Sequence, residues 1–172
     1  MVKRYHKELE SKDVYVDWDN VLQVIQVAQQ LKHQIGKFYG KQFILEPFQV
    51  FLLVNIFGFK FKDTGFRLYN ECVLNIARKN GKTFLVSFIA LWFTAFEGIH
   101  GSQVMLLSPT KELTEDNLFE MMKQHCKSLD PKLKYFKPKK EVVDFVPTNS
   151  WCKLSSVNSK SVGESHNLSF FV

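Results

Sequence analysis

The chain has few cysteines, and they do not form a metal-binding pattern. Cys72, Cys126 and Cys152 lie far apart among 172 residues, with no C-x-x-C pair. This spacing argues against a structural zinc site. The odd number of cysteines and the lack of a signal-peptide pattern favour a reducing cytosol over an oxidising compartment.

Long hydrophobic runs are also absent. The longest, FLVSFIALWFTAF, extends from Phe84 to Phe96, whereas a membrane-spanning helix needs about 20 apolar residues. The run follows a charged loop, so we interpret it as a buried helix and expect no membrane partner.

Aromatic residues and positive charge are plentiful. Hydrophobic residues make up 45% of the chain and 17 residues are Phe, which predicts a folded domain with a full core. The net charge of +6 fits a polyanionic partner such as nucleic acid, a nucleotide or an acidic membrane, or simply a basic surface. The positive charges are spread over residues 3–4, 60–62, 78–82 and 132–140.

The first part of the chain predicts helices and a hairpin. Residues 17–36 form an amphipathic helix pattern that Asp17 or Asp19 can cap and Gly36 can end. Its apolar face comprises Val21, Val24, Ile25, Ala28, Leu31 and Ile35. Pro47 begins a second, mostly buried helix over residues 48–57. Asp63-Thr64-Gly65 is a plausible turn between residues 59–61 and 66–68.

The rest of the chain alternates strand and helix patterns. Apolar strands are predicted at 71–77 and 102–110, and a helix that begins near Lys82 and ends at Gly98 lies between them. Another helix follows, with Thr110 as its cap and Leu113, Asn117, Leu118, Met121, Met122 and Cys126 toward the core. Three further strands are expected, two of them joined as a hairpin around residues 147–149. This alternation predicts an α/β domain with a mostly parallel central sheet.

The segment NIARKNGKT, residues 75–83, has the chemistry of a phosphate-binding loop. Gly81 would let the backbone approach a phosphate, Lys82 would supply a cation, and Thr83 would offer a hydroxyl to Mg²⁺. The usual first glycine is replaced by Ile76, whose β-branched side chain favours continuation of the strand. An ordinary strand–turn–helix remains the alternative.

Other candidate residues fit ordinary structural roles. Glu115 and Asp116 diverge on a helix, and Ser87 lies inside one. The histidines His6, His33, His100, His125 and His166 show no ligand spacing, so all five are assigned to the surface. The lysines of residues 132–140 could follow a DNA backbone or form a solvated loop. Residues 155–166 could line a DNA channel or a subunit interface, or be a simple connection.

A loop of the form Arg-x-x-Gly-Lys-Thr resembles the ATPase loop of the terminase large subunits of tailed bacteriophages. The segments LEPFQVFLLVNIFGF, VMLLSPTKELTEDNLFE and SSVNSKSVGESHNLSFFV are similar to successive parts of that family, in the same order. The similarity extends over residues 40–172.

The resemblance implies a nucleotide site with ATP and Mg²⁺ as cofactors. The nucleotide-binding residues would be Arg78, Lys79, Asn80, Gly81, Lys82 and Thr83, with Pro47 and Gln49 near the adenine. Lys82 and Arg78 would be catalytic, and the hydroxyl of Thr83 would bind the metal.

The resemblance also implies a P-loop NTPase fold of the ASCE, helicase-like class. Residues 1–40 would be an amphipathic helical lead and residues 41–172 a partial ATPase core, incomplete at its C-terminal end and without the family's nuclease domain. The implied function is the ATPase motor that drives DNA into a procapsid in the cytoplasm of an infected bacterium. The implied partners are double-stranded DNA, the small terminase subunit, the portal of the procapsid and further copies in a ring.

The chain departs from the family pattern at the strand LSFFV. The family's Asp-Glu pair, which binds Mg²⁺ and orients the attacking water, does not follow Val172. We therefore interpret the sequence as a fragment and expect it to bind nucleotide weakly and to hydrolyse it negligibly. A non-catalytic nucleic-acid-binding or assembly module and a helicase-like protein are the alternatives.

Overall fold

The computed structural model describes residues 13–33, 36–77, 80–108, 118–156 and 168–171. The chain divides into two compact units. The first unit comprises Met1–Gln30 and Gln42–Ile76, and the second comprises Leu31–Lys41 and Ala77–Val172. The domain boundary predicted at residue 40 remains a prediction.

The described residues of the first unit form two short strands and two helices. They are β1 (Val14–Val16), α1 (Trp18–Gln30), α2 (Pro47–Phe57) and β2 (Phe59–Phe61). The strands pair antiparallel, with Val14 opposite Phe61 and Val16 opposite Phe59. Side chains from all four elements form one apolar core, in which Val14, Val21, Val54 and Phe59 are buried.

Helix α1 begins where the sequence predicts and ends earlier. The Asp17 carboxylate accepts a hydrogen bond from the Asn20 amide at 3.0 Å, which confirms Asp17 as the cap. Val21, Val24 and Ala28 are buried on the predicted face. The prediction that Gly36 ends the helix was wrong, because the last helical residue is Gln30 and Gly36 instead begins a short 3₁₀ turn, Gly36–Phe38.

Helix α2 and the turn after it lie where the sequence predicts, but the prediction of a mostly buried helix was wrong. Pro47 occupies the first turn, where its missing N–H has no helical acceptor to lose. Burial of α2 is one-sided, since Leu53 and Phe57 are fully buried while Phe51 is half exposed. After β2 the chain turns at Gly65, and the amide of Phe61 donates to the carbonyl of Phe66 at 2.9 Å.

The second unit contains a five-stranded sheet and two helices among the described residues. The helices are α3 (Lys82–Ala95) and α4 (Glu120–Leu129). The strands are β3 (Gln103–Ser108), β4 (Phe136–Pro138), β5 (Val142–Phe145), β6 (Ser150–Ser156) and β7 (Leu168–Phe171), in the spatial order β4-β5-β6-β3-β7.

The sheet is mixed, which corrects the prediction of a mostly parallel one. Strand β3 runs parallel to both β6 and β7, whereas the pairs β4–β5 and β5–β6 are antiparallel. The antiparallel part arises because β5 and β6 are joined by a tight connection, Val146–Thr148, followed by Asn149 in the left-handed conformation. A short connection of this kind permits only antiparallel neighbours, and it confirms the hairpin predicted around residues 147–149.

Helix α3 forms the centre of the second unit. It packs on β3 and β6 and against α4, and the ten positions Phe84, Leu85 and Ser87 to Thr94 are buried. The buried helix predicted for this apolar run is therefore confirmed. It ends at Ala95, before Gly98, and Phe96 follows as its C-cap.

The apolar segment 71–77 is not a strand, contrary to the prediction. These residues adopt no helix or strand, and the Val73 side chain is 94% exposed. A short apolar run favours an extended conformation, but a strand also needs a hydrogen-bonded neighbour. None of the described strands pairs with this segment.

Two further predictions extend beyond the described residues. Helix α4 is observed from Glu120, with Leu118, Met122 and Cys126 buried as expected, whereas Thr110, Leu113, Glu115, Asp116 and Asn117 lie outside the described residues. The predicted last strand is observed as β7, but most of residues 155–166 lie outside the described part. No helix within the described ranges has the length and apolar character needed to cross a membrane.

Candidate functional site

The predicted phosphate loop ends at the first turn of α3. Gly81 is the residue before the helix, with φ 71° and ψ 18°, a left-handed conformation that costs glycine little. Lys82 is the first helical residue, and the amide of Leu85 donates to the carbonyl of Gly81 at 3.0 Å. The glycine thus directs the chain from the loop into the helix.

The first turn of α3 presents polar groups to solvent. Lys82 is exposed and Thr83 is partly exposed. Gly81 at the N-cap position has no side chain that could accept a hydrogen bond from the first-turn amides, as Ser, Thr, Asp or Asn would. Together with the positive end of the helix dipole, this arrangement favours an anion. Beside it, Asn80 donates from its side chain to the carbonyl of Ala77 at 3.4 Å.

The next residues of α3 hold this turn in place. Phe84 is buried, and its ring meets the His125 imidazole edge-on at 4.7 Å between centroids. One turn later, the Ser87 hydroxyl donates to the carbonyl of Phe84 at 2.9 Å. This confirms Ser87 as a residue inside a helix, with its hydroxyl occupied within that helix.

His125 corrects the assignment of all histidines to the surface, because it is fully buried. Burial lowers the pKa of His125 to about 4, and the backbone of Phe84 opposes part of this effect. The ring is therefore neutral at physiological pH. The signal was present in the sequence, since His125 lies three residues after Met122 and beside Cys126 on the apolar face of α4. Of the other histidines, His33 and His100 are described and not buried, while His6 and His166 lie outside the described residues.

The placement of the remaining predicted site residues relative to this turn stays a prediction. Arg78 and Lys79 lie outside the described residues. Pro47 and Gln49 belong to the first compact unit, whereas Gly81, Lys82 and Thr83 belong to the second. Gln49 is buried, and its side-chain carbonyl accepts from the backbone amide of Glu46 at 2.9 Å. That bond stabilises the start of α2.

The described residues supply few ligands for a metal. They contain no group of three or more His, Cys, Asp or Glu side chains that could hold an ion. The hydroxyl of Thr83 fits a hard cation such as Mg²⁺, which takes oxygen ligands and retains several waters.

The fold resembles that of a solved phage protein. The crystal structure of the HK97 bacteriophage large terminase matches 91% of this chain with a TM-score of 0.66 and 22% sequence identity. The chain spans 31% of the length of that protein. Both molecules thus share an α/β fold. No curated protein matched the sequence.

The sequence also identifies a family. The family model for the ATPase domain of the terminase large subunit matches residues 47–164. This segment covers well over half of the chain and includes α2, the loop before α3, and the strands β3 to β6. The chain therefore belongs to the terminase large subunit ATPase-domain family, which confirms the resemblance seen in the sequence.

Proposed function

We propose that this chain is the nucleotide-binding part of a viral DNA-packaging motor, with the start of α3 as its phosphate site. The observation that carries the proposal is the first turn of α3 and its N-cap glycine. The turn presents the Lys82 ammonium and the Thr83 hydroxyl at the positive end of the helix dipole, next to a left-handed glycine. Family membership makes ATP the expected ligand.

In this proposal the residues have separate roles. The amides of the first turn and the ammonium of Lys82 hold the β- and γ-phosphates. Arg78 and Lys79 add positive charge from the loop, and Arg78 stabilises the γ-phosphoryl group as it leaves. Pro47 and Gln49 lie near the adenine. Mg²⁺, bound to the Thr83 hydroxyl and the phosphates, neutralises phosphate charge.

At the level of the intact protein, we propose a P-loop NTPase of the helicase-like class that couples ATP hydrolysis to movement of double-stranded DNA into a procapsid. The small terminase subunit, the portal and further copies of the chain in a ring would be its partners in the host cytoplasm. The family match and the shared fold support these assignments.

The test is nucleotide binding to the Lys82→Ala variant. Losing a charge-assisted bond to phosphate costs about 1.5–3 kcal/mol, which is roughly a ten- to hundredfold loss of affinity for ATP·Mg²⁺. Calorimetric titration of wild type and variant measures it. Lys127→Ala serves as a matched control, because Lys127 is also an exposed lysine of the second unit.

Equal affinity in wild type and Lys82→Ala would reject the phosphate site. The role of Arg78 needs a longer chain that carries the two acids of the family. There, Arg78→Ala should lower the rate of phosphate release about a hundredfold or more and leave ATP binding nearly unchanged. Unchanged turnover would reduce Arg78 to a solvated loop residue.

A further inference from the structure

A strongly basic surface lies at the edge of the sheet in the second unit. Five lysines between α4 and β5 form it, and we call them the lysine edge: Lys132, Lys134, Lys137, Lys139 and Lys140. All five are exposed, and no acidic residue interrupts residues 131–140. Strand β4, which carries part of this surface, is one of the two edge strands of the described sheet.

The lysine edge is held on a defined scaffold. The Asp130 carboxylate accepts hydrogen bonds from the amides of Tyr135 at 2.7 Å and Phe136 at 3.1 Å. The Phe136 side chain is buried, and its ring packs 4.9 Å from that of Phe145. Because side chains alternate along a strand, burial of Phe136 directs Lys137 to the opposite face. The backbone around Tyr135 and Phe136, which lies among the five lysines, is thus held by hydrogen bonds to Asp130 and by burial of the Phe136 side chain.

Most of the positive charge on the lysine edge is not neutralised. Lys139 pairs with Asp144 at 2.6 Å, and Lys137 donates to the carbonyl of Leu133 at 2.6 Å. Within the described ranges no carboxylate pairs with the other three, Lys132, Lys134 and Lys140. A lysine on an edge strand also discourages pairing with another sheet. That effect accounts for Lys137 within β4 but not for the four lysines that flank the strand.

The basic surface continues onto one face of the sheet. The registers place Lys137 opposite Asp144, and Asp144 opposite Trp151. Lys153, two residues beyond Trp151, points to the same face, and both are only partly buried. The reverse face at these positions holds Phe136, Val143 and Cys152, which are all buried. The sheet therefore has a packed face and a face with basic and amphipathic groups.

We propose that the lysine edge, with the adjoining face at Lys153, binds the phosphate backbone of duplex DNA. The choice of nucleic acid rests on the proposed function, and the position of the surface rests on its charge and exposure. Flexible ammonium groups suit phosphate contacts that carry no sequence information. A single-strand site would need open aromatic faces, whereas the exposed Tyr135 ring has the Lys134 ammonium over it at 5.2 Å.

The experiment measures binding of a fluorescent, mixed-sequence DNA duplex to the full 172-residue chain across a series of salt concentrations. The test variant carries Lys132→Gln, Lys134→Gln and Lys140→Gln. Each phosphate contact contributes about 0.9 to the slope of log K against log salt, so the slope should fall by roughly 2.7 and low-salt affinity by about tenfold or more. The control variant carries Lys32→Gln, Lys37→Gln and Lys41→Gln, three exposed lysines of the same unit.

The proposal is supported if duplex affinity and the slope of log K against log salt both decrease in the test variant and not in the control variant. Equal losses in both variants would show an effect of net charge and overturn it, as would no binding by wild type or no change in the test variant. Tighter binding to the single strand, or a larger loss on phosphatidylcholine–phosphatidylserine vesicles than on duplex, would also overturn it. Thermal unfolding midpoints of both variants verify that the fold is retained.

The outcome is separable from that of the nucleotide site. The test variant should keep wild-type ATP affinity, and Lys82→Ala should keep duplex affinity. Loss of duplex binding in the lysine-edge variant together with unchanged ATP binding by Lys82→Ala would reject the phosphate site alone. The reverse result would reject the lysine edge alone.

Discussion

At the scale of single residues, two buried side chains beside the candidate site define its environment. The Phe84 ring, on the buried side of the first turn of α3, meets the His125 ring, whereas Lys82 in the same turn is exposed. A buried imidazole without charge packs like an apolar ring at neutral pH, but protonation of the buried ring is unfavourable and lowers the stability of the fold. The stability of the packing between α3 and α4 should therefore depend on pH.

We expect acid to destabilise the second unit through His125. Its pKa is lowered from 6.5 to about 4 in the folded chain. Above pH 6.5 both folded and unfolded chains hold a neutral ring. As pH falls from there toward 4, the unfolded chain binds a proton that the folded chain excludes, and the free energy of unfolding drops by roughly 3 kcal/mol. Urea unfolding at a series of pH values measures this.

His125→Leu should remove this part of the pH dependence, because leucine is apolar and does not titrate. The exposed His100 offers a control, and His100→Gln should retain the wild-type profile. An identical drop between pH 6.5 and 4 in wild type and His125→Leu would show that other groups cause it.

The candidate site could be predicted from the sequence only where the chemistry is local. Gly81, Lys82 and Thr83 are adjacent, and the apolar run after them predicts a helix, so their presence at its first turn follows directly. The contact of His125 with Phe84 joins residues from two helices, and helical periodicity alone shows that His125 faces the core without naming its neighbour.

At the scale of elements, local sequence signals predicted the helices and hairpins, whereas the pairing of strands could not be predicted from the sequence. The Asp17 cap, Pro47 at the start of α2 and the turn at Gly65 each act within a few residues. The segment 71–77 has the composition of a buried strand, yet no described strand pairs with it. Pairing depends on residues distant in sequence, so the same pattern cannot distinguish a strand from an extended loop.

One prediction at this scale concerns the start of α1. Asp17 accepts the Asn20 amide and pairs with the Lys60 ammonium at 2.8 Å. Asp17→Ala should lower the free energy of unfolding by about 0.5–2 kcal/mol through loss of the cap. Asp17→Asn, which keeps an acceptor and loses the ion pair, should cost about 1 kcal/mol or less. Asp19→Ala is the control, because Asp19 is exposed and was the alternative cap.

The effect of Asp17→Asn should also depend on pH. The hydrogen bond from Lys60 lowers the pKa of Asp17 below 3.8, against the opposing effect of burial and with help from the Asn20 amide. The stabilisation of the fold by the Asp17 carboxylate is therefore present above pH 3.8 and disappears as the pH falls through the pKa of Asp17 in the folded chain. Urea denaturation of wild type and the Asp17→Ala, Asp17→Asn and Asp19→Ala variants at several pH values measures this dependence. If Asp17→Asn were less stable than Asp17→Ala at neutral pH, the prediction that loss of the cap costs more than loss of the ion pair would be wrong.

At the scale of the whole molecule, the cysteines report on the integrity of the second unit. Cys126 on α4 and Cys152 on β6 are buried in its core, whereas Cys72 is exposed in the first unit. Burial raises the pKa of the Cys126 thiol to about 12 and raises that of Cys152 further. Neither thiol can form the reactive thiolate without opening of the core.

We expect a thiol reagent such as Ellman's reagent to label one cysteine in the native chain and all three after denaturation. Cys72→Ser should abolish the native labelling and leave the other two reactive only in denaturant. Simultaneous reaction of all three thiols without denaturant would mean that the packing of α4 and β6 against α3 does not persist in solution.

The position of β3 in the sheet has a consequence for how the chain is made. Both neighbours of β3 are encoded after it, with β6 about fifty residues later and β7 later still. A ribosome adds roughly 5–20 residues per second, so β3 waits several seconds before either of its described neighbours is available to pair with it. Throughout that time α3, which is made before β3 and packs on it in the finished fold, is available to cover Val104, Leu106 and Leu107, all of which end up buried. We therefore expect an early contact between α3 and β3 to reduce the apolar surface that the nascent chain exposes.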